Sequence, residues 1–443
     1  MSANIGFRLP RIWLPRHDLD LRKWAVVACD QYTSEPAYWH DVEAEVGDAP
    51  STLHLIFPEV YLGSADAAAR IGRIQDSMRQ YLSAGLLVEH DGAVYVERTI
   101  DGRVRRGMML EIDLEHYDFD PASTSLVRPT EGTIVARLAP RIEIRRDAEL
   151  ELPHVLVLID DPADSVIGPI AAARGALNRL YETDLMRGGG HVAGYAIDDA
   201  LAARAMQALD ALADPAAFAL RHGVAEGTPP ILFAVGDGNH SLATAKTLWN
   251  RVRATVGSDA PSRYALVEVM NIHDAALEFS PIHRLLFGVS TDVRAALSAA
   301  FGARLACLDV ASAAAMRERL RTVRGRGHAA GLVGPGQRYS VVEVAQPQAA
   351  TGVGTFQPFI DELIARGGAR EVDYIHGDDV LEQQSTAAAD RIGFHLDAVA
   401  KDELLGLVVR GGPLPRKTFS MGEAHEKRFY IEARRIRGGV ARP

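Results

Sequence analysis

The spacing of apolar residues changes several times along the chain, and each change marks an element. Trp24-Ala25-Val26-Val27-Ala28-Cys29 is a continuous apolar run that predicts a buried strand, closed by the polar stretch Asp30 to Glu35. A helix follows: Pro36 suits its first turn, Trp39, Val42 and Val46 share a face, and Gly47 is placed to end it. Runs at Ala93 to Val96, Met108 to Leu114, Thr133 to Leu138 and Val155 to Ile159 predict further strands, separated by Gly, Pro and Asp. Ala/Leu-rich helical patterns cover Ile167 to Leu180 and Ala200 to Leu220, and Arg187-Gly188-Gly189-Gly190-His191 lies between them.

Pro229 and Pro230 introduce Ile231-Leu232-Phe233-Ala234-Val235, a fully apolar strand pattern that runs straight into Gly236-Asp237-Gly238-Asn239-His240. Leu242, Ala245 and Trp249, at i, i+3 and i+7, predict a helix directly after this turn. Beyond Phe287 the texture becomes Ala/Arg-rich, with Val293, Leu297 and Phe301 on one helical face and breaks at Arg324-Gly325-Arg326-Gly327 and Gly334-Pro335-Gly336. The pattern predicts an α+β protein of two parts, 1–290 and 291–443, the second an α/β domain.

A length of 443 residues exceeds what one core usually serves, and 47% apolar with 24% charged residues is an ordinary globular balance. The net charge of −10 argues against a general nucleic-acid footprint, and no stretch approaches the length of a membrane span. Cys29 and Cys307 support neither a disulfide framework nor a thiolate zinc site. Residues Met1 to Arg22 have no apolar segment of signal type, so a cytoplasmic setting is expected.

The sharpest chemical feature is the strand, Gly-bearing turn and helix at 231–250. A turn that opens a helix aims backbone N–H groups and the positive end of the helix dipole at an anion, and phosphate suits that place. Gly236 and Gly238 permit close backbone approach, and Asn239 and His240 add polar groups. A plain tight turn explains the same composition. Asp30 and Glu35 follow the first apolar run, where either can act on a bound hydroxyl, although Glu35 also suits a helix start. Arg128 with Glu131, and His283 with Arg284, are candidate anion or substrate contacts or structural ion pairs. Gly188 to His191 reads as a lid, a donor loop or a simple connection. Arg416-Lys417 with Lys427-Arg428 reads as a phosphate-reaching group or a solvated face, and His376-Gly377-Asp378-Asp379 as a ligand cluster or a capped turn. No Walker loop, dinucleotide fingerprint or Ser-His-Asp order is present.

Several of these stretches together resemble the family called domain of unknown function 1015. They are Trp24 to Val60 around Ala28 to Pro36, Arg128 to Thr133, Asp184 to Met186, Gly188 to His191, Gly236 to Ala245, Pro281 to Arg284 and Leu414 to Glu423. Asp237-Gly238-Asn239-His240-Ser241 is also similar to the Asp-Gly-x-His-Arg turn of the ParB and sulfiredoxin superfamily, which includes nucleotide-dependent free-serine kinases and nucleotide-hydrolysing DNA-clamp proteins. Ser241 stands where that turn usually has Arg, so another arginine, Arg128 or Arg284, is expected to substitute, or else the ligand is not a triphosphate.

The resemblance implies a mixed-sheet, ParB/sulfiredoxin-like nucleotide-binding core with large insertions. It implies a phosphotransferase for a small hydroxylated metabolite, with free L-serine and O-phosphoserine as the specific pair and ADP, ATP or pyrophosphate as donor. In that picture Gly236, Asp237, Gly238, Asn239, His240 and Ser241 hold phosphates, and Asp237 helps hold Mg²⁺. Asp30, Glu35 and His240 are catalytic, and Arg128, Glu131, His283 and Arg284 meet the substrate. A phosphoserine phosphatase, or a nucleotide-binding regulatory protein without turnover, uses the same turn; a homo-oligomer fits any of these.

Overall fold

The structure is a computed structural model that describes residues 6–323 and 326–437. Of the Gly/Arg turn expected at 324–327, residues 324 and 325 lie outside the described residues. The chain divides into two compact units: residues 1–277 together with 422–443, and residues 278–421. The division differs from the expected one. Its boundary falls before the strand Phe279–Phe287, and the chain returns to the larger unit for its last segment.

The larger unit is built on a nine-stranded mixed sheet of described residues. The strands run in the order Val127–Pro129, Phe233–Asp237, Leu156–Ile159, Tyr264–Asn271, Arg103–Asp113, Val94–Ile100, His191–Ala196 and Arg179–Asp184, with Phe7–Arg8 paired to Arg103–Asp113. Phe233–Asp237 runs parallel to Val127–Pro129 and antiparallel to Leu156–Ile159, which is itself parallel to Tyr264–Asn271. One face of the sheet packs on helices Asp199–Leu212 and Asn239–Val256 through Leu209, Leu242 and Trp249. The other packs on Pro36–Val46 through the expected Trp39, Val42 and Val46. The expected helix over 200–220 breaks at Asp214, whose carboxylate caps a second helix, Pro215–His222.

Two expected strands take other forms. Trp24 ends a one-turn helix, and 25–28 is a buried segment tied to the returning tail by Ala28 N–H to Arg428 O at 2.8 Å and Tyr430 N–H to Val26 O at 2.9 Å. Its apolarity reflects burial between layers rather than membership of the sheet. The run Thr133 to Leu138 leads into a 3-10 turn and the helix Leu138–Arg146, because Leu138 and Ile142, at helical spacing, pack on Ala243.

The smaller unit has its own sheet, in the order Leu305–Val310, Arg338–Val344, His328–Gly334, Ile392–His395, Phe279–Phe287 and Glu371–His376, with Phe419–Met421 paired to Phe279–Phe287. Every strand pair described in it is antiparallel. Val293, Leu297, Phe356 and Phe394 lie in its core. The chain as a whole is α+β.

Candidate functional site

The turn predicted from 231–250 forms as a strand, a left-handed glycine and a long helix. The register with Leu156–Ile159 shifts between Val235 and Asp237, so Gly236 is the bulge residue that re-aims Asp237. Gly238 has φ +78°, and a Cβ there would stand 2.9 Å from Val155 Cα, so both backbone conformation and space demand glycine. The helix Asn239–Val256 starts at once, and no side chain caps it. Its first-turn N–H groups therefore face the space beyond the strand end. Asn239 Oδ1 is buried there without a hydrogen-bond partner among the described residues.

Around this helix start the fold gathers groups from five distant stretches. Asp237 lies 3.1 Å from the Lys427 ammonium through Oδ2 and accepts the Gly238 N–H at 2.9 Å through Oδ1. Burial pushes its carboxyl up, yet the Lys427 charge and hydrogen bond, helped by His154, hold it below the ordinary aspartate value. Asp30 Oδ2 stands 3.9 Å from His154 Nε2, while its Oδ1 accepts Gln31 Nε2–H at 2.9 Å. Glu59, whose N–H reaches Cys29 O at 2.8 Å, is ion-paired with Arg141. Burial raises the Glu59 carboxyl despite that arginine, and Asp30 adds to the rise. His240 accepts the Ile134 N–H through Nε2 at 3.3 Å, and burial with Arg141 and Arg137 nearby lowers its pKa to about 4. The ring is neutral at pH 7 and carries its proton on Nδ1.

Of the residues expected from sequence, Asp30, Gly236, Asp237, Gly238, Asn239, His240 and Ser241 belong to this neighbourhood. Val127–Pro129 is parallel to Phe233–Asp237, and Thr130 Oγ1 donates to Val235 O at 2.7 Å, so Glu131 follows at the same sheet edge as Asp237. Glu35 is exposed at the start of Pro36–Val46, beside the stacked Tyr32–Tyr38 pair rather than among the buried groups. Arg128 is a clamp: its guanidinium donates to Ser125 O at 2.7 Å, Pro229 O at 2.9 Å and Pro230 O at 3.2 Å. That binding to carbonyls corrects its expected role as an anion ligand. Arg141 and Arg137 are the arginines whose charge acts on His240.

His283 and Arg284 belong to the smaller unit and are fully buried in it. Arg284 donates to Gln357 Oε1 and Ile282 O, both at 2.6 Å. His283, Asp378 and His395 bring possible metal-ligating atoms together, and Asp378 Oδ1 lies 3.0 Å from His283 Nε2 and 3.2 Å from His395 Nε2. However, His283 Nδ1 accepts the Leu396 N–H at 3.1 Å, so its Nε2 carries the proton and donates to Asp378. With that Nδ1 lone pair taken and Nε2 protonated, the ring has no lone pair free for a metal, and the Asp378 carboxylate is engaged by the two histidines rather than capping the helix it opens.

Gly188 to His191 is a tied hairpin rather than a lid: Gly189 O accepts Arg98 Nε–H at 2.8 Å, and a Cβ on Gly190 would meet Thr99 O at 2.2 Å. Arg98 also donates to Lys427 O at 3.4 Å and His425 O at 3.1 Å, which fixes the backbone that carries Lys427. The two basic pairs thus part: Arg416 and Lys417 are in the smaller unit, Lys427 and Arg428 in the larger. Glu59, Arg141 and His154 stand in no motif of the sequence and reach the turn only through the fold. Asp237 pairs with Leu156 in an antiparallel register, so the amino end of that neighbour, with His154, lies beside the carboxyl end of Phe233–Asp237.

Comparison with known proteins adds the following. The model of a family described as "Protein of unknown function (DUF1015)" matches residues 13–363. No curated protein matches. Among solved structures, a mutant free serine kinase in complex with ADP is similar at 13% identity and TM-score 0.41, over 77% of this chain and 95% of that one. A conserved hypothetical protein from Pyrococcus furiosus is similar at 13% identity and TM-score 0.36, over 71% and 90%. SbnI with a C-terminal truncation, from Staphylococcus aureus, reaches 10% identity and TM-score 0.35, over 70% and 84%. At these scores the likenesses say nothing of activity. Among the described residues no helix is long and apolar enough to cross a membrane.

Proposed function

We propose that this chain, which belongs to the DUF1015 family, is a phosphotransferase for a small hydroxylated metabolite. A nucleotide, ADP or ATP, or pyrophosphate is the donor, and free L-serine with O-phosphoserine is the acceptor pair to test first. The observation that carries this reading is the uncapped start of Asn239–Val256, reached through a glycine no other residue can replace and bordered by Lys427, Arg141 and two carboxylates.

In this reading the first-turn N–H groups of the helix and Lys427 receive phosphoryl oxygens, and Arg141 supplies the cation that Ser241 lacks. Asp237 acts through Lys427, holding the ammonium in place. Asp30 takes the proton of the acceptor hydroxyl, and Glu59, with its raised proton affinity, is the alternative base. His240 serves as a neutral Nδ1–H donor rather than a cation. Both Asp237 oxygens are engaged, so Asp237 does not fit the metal role expected for it. Asp30, with Oδ2 unbonded, is the carboxylate that would hold Mg²⁺ together with water and substrate phosphates, and in that case Glu59 rather than Asp30 takes the hydroxyl proton. Bound there, Mg²⁺ would supply charge neutralisation on the phosphates.

Phosphorus NMR tests the reading. Purified protein with Mg²⁺ is incubated with ADP, ATP or pyrophosphate plus L-serine, and separately with O-phosphoserine. Phosphate is expected to move between donor and serine, or from phosphoserine, and Asp30→Asn should abolish the transfer. Unchanged spectra in every arm with wild-type protein overturn it for this pair.

A further inference from the structure

The hydrogen bonds around His154 fix which of its ring nitrogens carries a proton. His154 precedes the strand Leu156–Ile159, and its side chain is 10% exposed. The Cys29 backbone N–H, which can only donate, lies 3.1 Å from the Tyr430 hydroxyl oxygen. That oxygen is also 2.8 Å from His154 Nδ1. Tyr430 is buried, and burial holds its phenol protonated. Having accepted from the Cys29 N–H, it has its own hydrogen to place. The Cys29 thiol sulfur also lies beside it, but sulfur is a weak acceptor, and the His154 Nδ1 lone pair at 2.8 Å is the stronger one. The reverse arrangement, with Nδ1–H donating, leaves the buried hydroxyl hydrogen only the weak sulfur acceptor of Cys29.

With its Nδ1 lone pair used, the neutral imidazole carries its proton on Nε2. The ring is held near perpendicular to that of Tyr430, at 86° and a centroid distance of 5.7 Å. Nε2 is 3.9 Å from Asp30 Oδ2, too far to hydrogen-bond, and it has no other hydrogen-bond partner among the described residues.

We infer that His154 Nε2–H is a ligand-facing donor to a phosphoryl oxygen, and that Tyr430 is a positioning residue that holds the imidazole in the donating tautomer. The inference rests on the phosphate-handling reading of the site. It also gives the returning tail a second duty: Tyr430 and Lys427, three residues apart, both act on the site from one segment.

The test is nitrogen-15 NMR of histidine-labelled full-length protein, with the His154 signals assigned by their loss in His154→Gln. The probe ligand is inorganic pyrophosphate, whose binding is followed in parallel by calorimetry. Wild type should show His154 protonated at Nε2, and pyrophosphate should shift that resonance. Tyr430→Phe, which keeps the ring and its packing, should give a mixture of tautomers and bind pyrophosphate about ten- to hundredfold more weakly, the scale of one hydrogen bond to a charged group. A proton found on Nδ1 in wild type overturns the inference while leaving the phosphate site intact. So does pyrophosphate binding that Lys427→Met weakens but that leaves the His154 signals unmoved. Absence of binding to wild type by pyrophosphate, ADP and ATP alike would sink the reading of the site and this inference together.

Discussion

Replacing Lys427 with Met removes the ammonium from Asp237 while keeping much of the side chain's bulk. At 3.1 Å and an effective dielectric of about 20, the attraction lost is about 5 kcal/mol. Part of that offsets the cost of keeping Lys427 away from water, with 13% of its side chain exposed, and Asp237 keeps the Gly238 N–H. Removing one member of a buried pair typically costs 3–5 kcal/mol; with 22% of the Asp237 side chain exposed, about 2–4 kcal/mol is expected near pH 8.

The pH dependence gives the sharper test. In the wild type the Asp237 carboxyl is held below its unfolded value, so its contribution is present above about pH 4 and is lost as pH falls through the folded value. In the variant the burial that pushes this carboxyl up is unopposed by Lys427, so the buried charge costs most at high pH and the loss shrinks as the group protonates. All four tryptophans, Trp13, Trp24, Trp39 and Trp249, lie in the larger unit, so fluorescence-detected urea unfolding follows the unit that carries the site. The gap between wild type and Lys427→Met should narrow by about 1 kcal/mol or more between pH 8 and pH 5. Asp237→Asn in the Lys427→Met background should recover about 2 kcal/mol of the summed single losses. A gap that is constant with pH, together with additive losses, would refute the ion pair as the reason for the effect.

Gly238→Ala should cost more than Gly223→Ala: both have left-handed φ, +78° and +59°, but only Gly238 faces a close backbone atom. About 1–2 kcal/mol is expected at Gly223 and at least twice that at Gly238, read from urea midpoints. Arg128→Met leaves three carbonyls without their donor and should lose about 2–4 kcal/mol of stability with pyrophosphate affinity unchanged; a large drop in affinity would restore its binding role. His240, with its pKa lowered to about 4, favours the folded state above its unfolded value near 6.5. That contribution declines as pH falls from 6.5 to 4; the full shift corresponds to about 3 kcal/mol, reduced to about 1–2 kcal/mol for this half-buried ring. His240→Gln should flatten that stretch of the stability profile.

Local pattern alone determined the strand, turn and helix at 233–256 and the helix Pro36–Val46. Their signals sit within a dozen residues: an apolar run, a glycine that must turn left-handed, a proline at a helix start and apolar residues at helical spacing. The same locality explains the misreadings. An apolar run such as Trp24 to Cys29 reports burial, and a buried segment between layers looks like a sheet strand until its partner, the returning tail, is in place. Asp237 was legible because turn chemistry marks it and Lys427 because it stands in a basic pair, whereas His154, Glu59 and Arg141 carry no local mark. These and Lys427 reach the turn through three tertiary decisions: antiparallel pairing that sets Leu156 beside Asp237, packing of Leu138–Arg146 on the helix after the turn, and return of the chain at Gly422 after a complete second unit. Charge placement of this kind is a property of contacts between distant segments, and such contacts exist only once burial has chosen the layers.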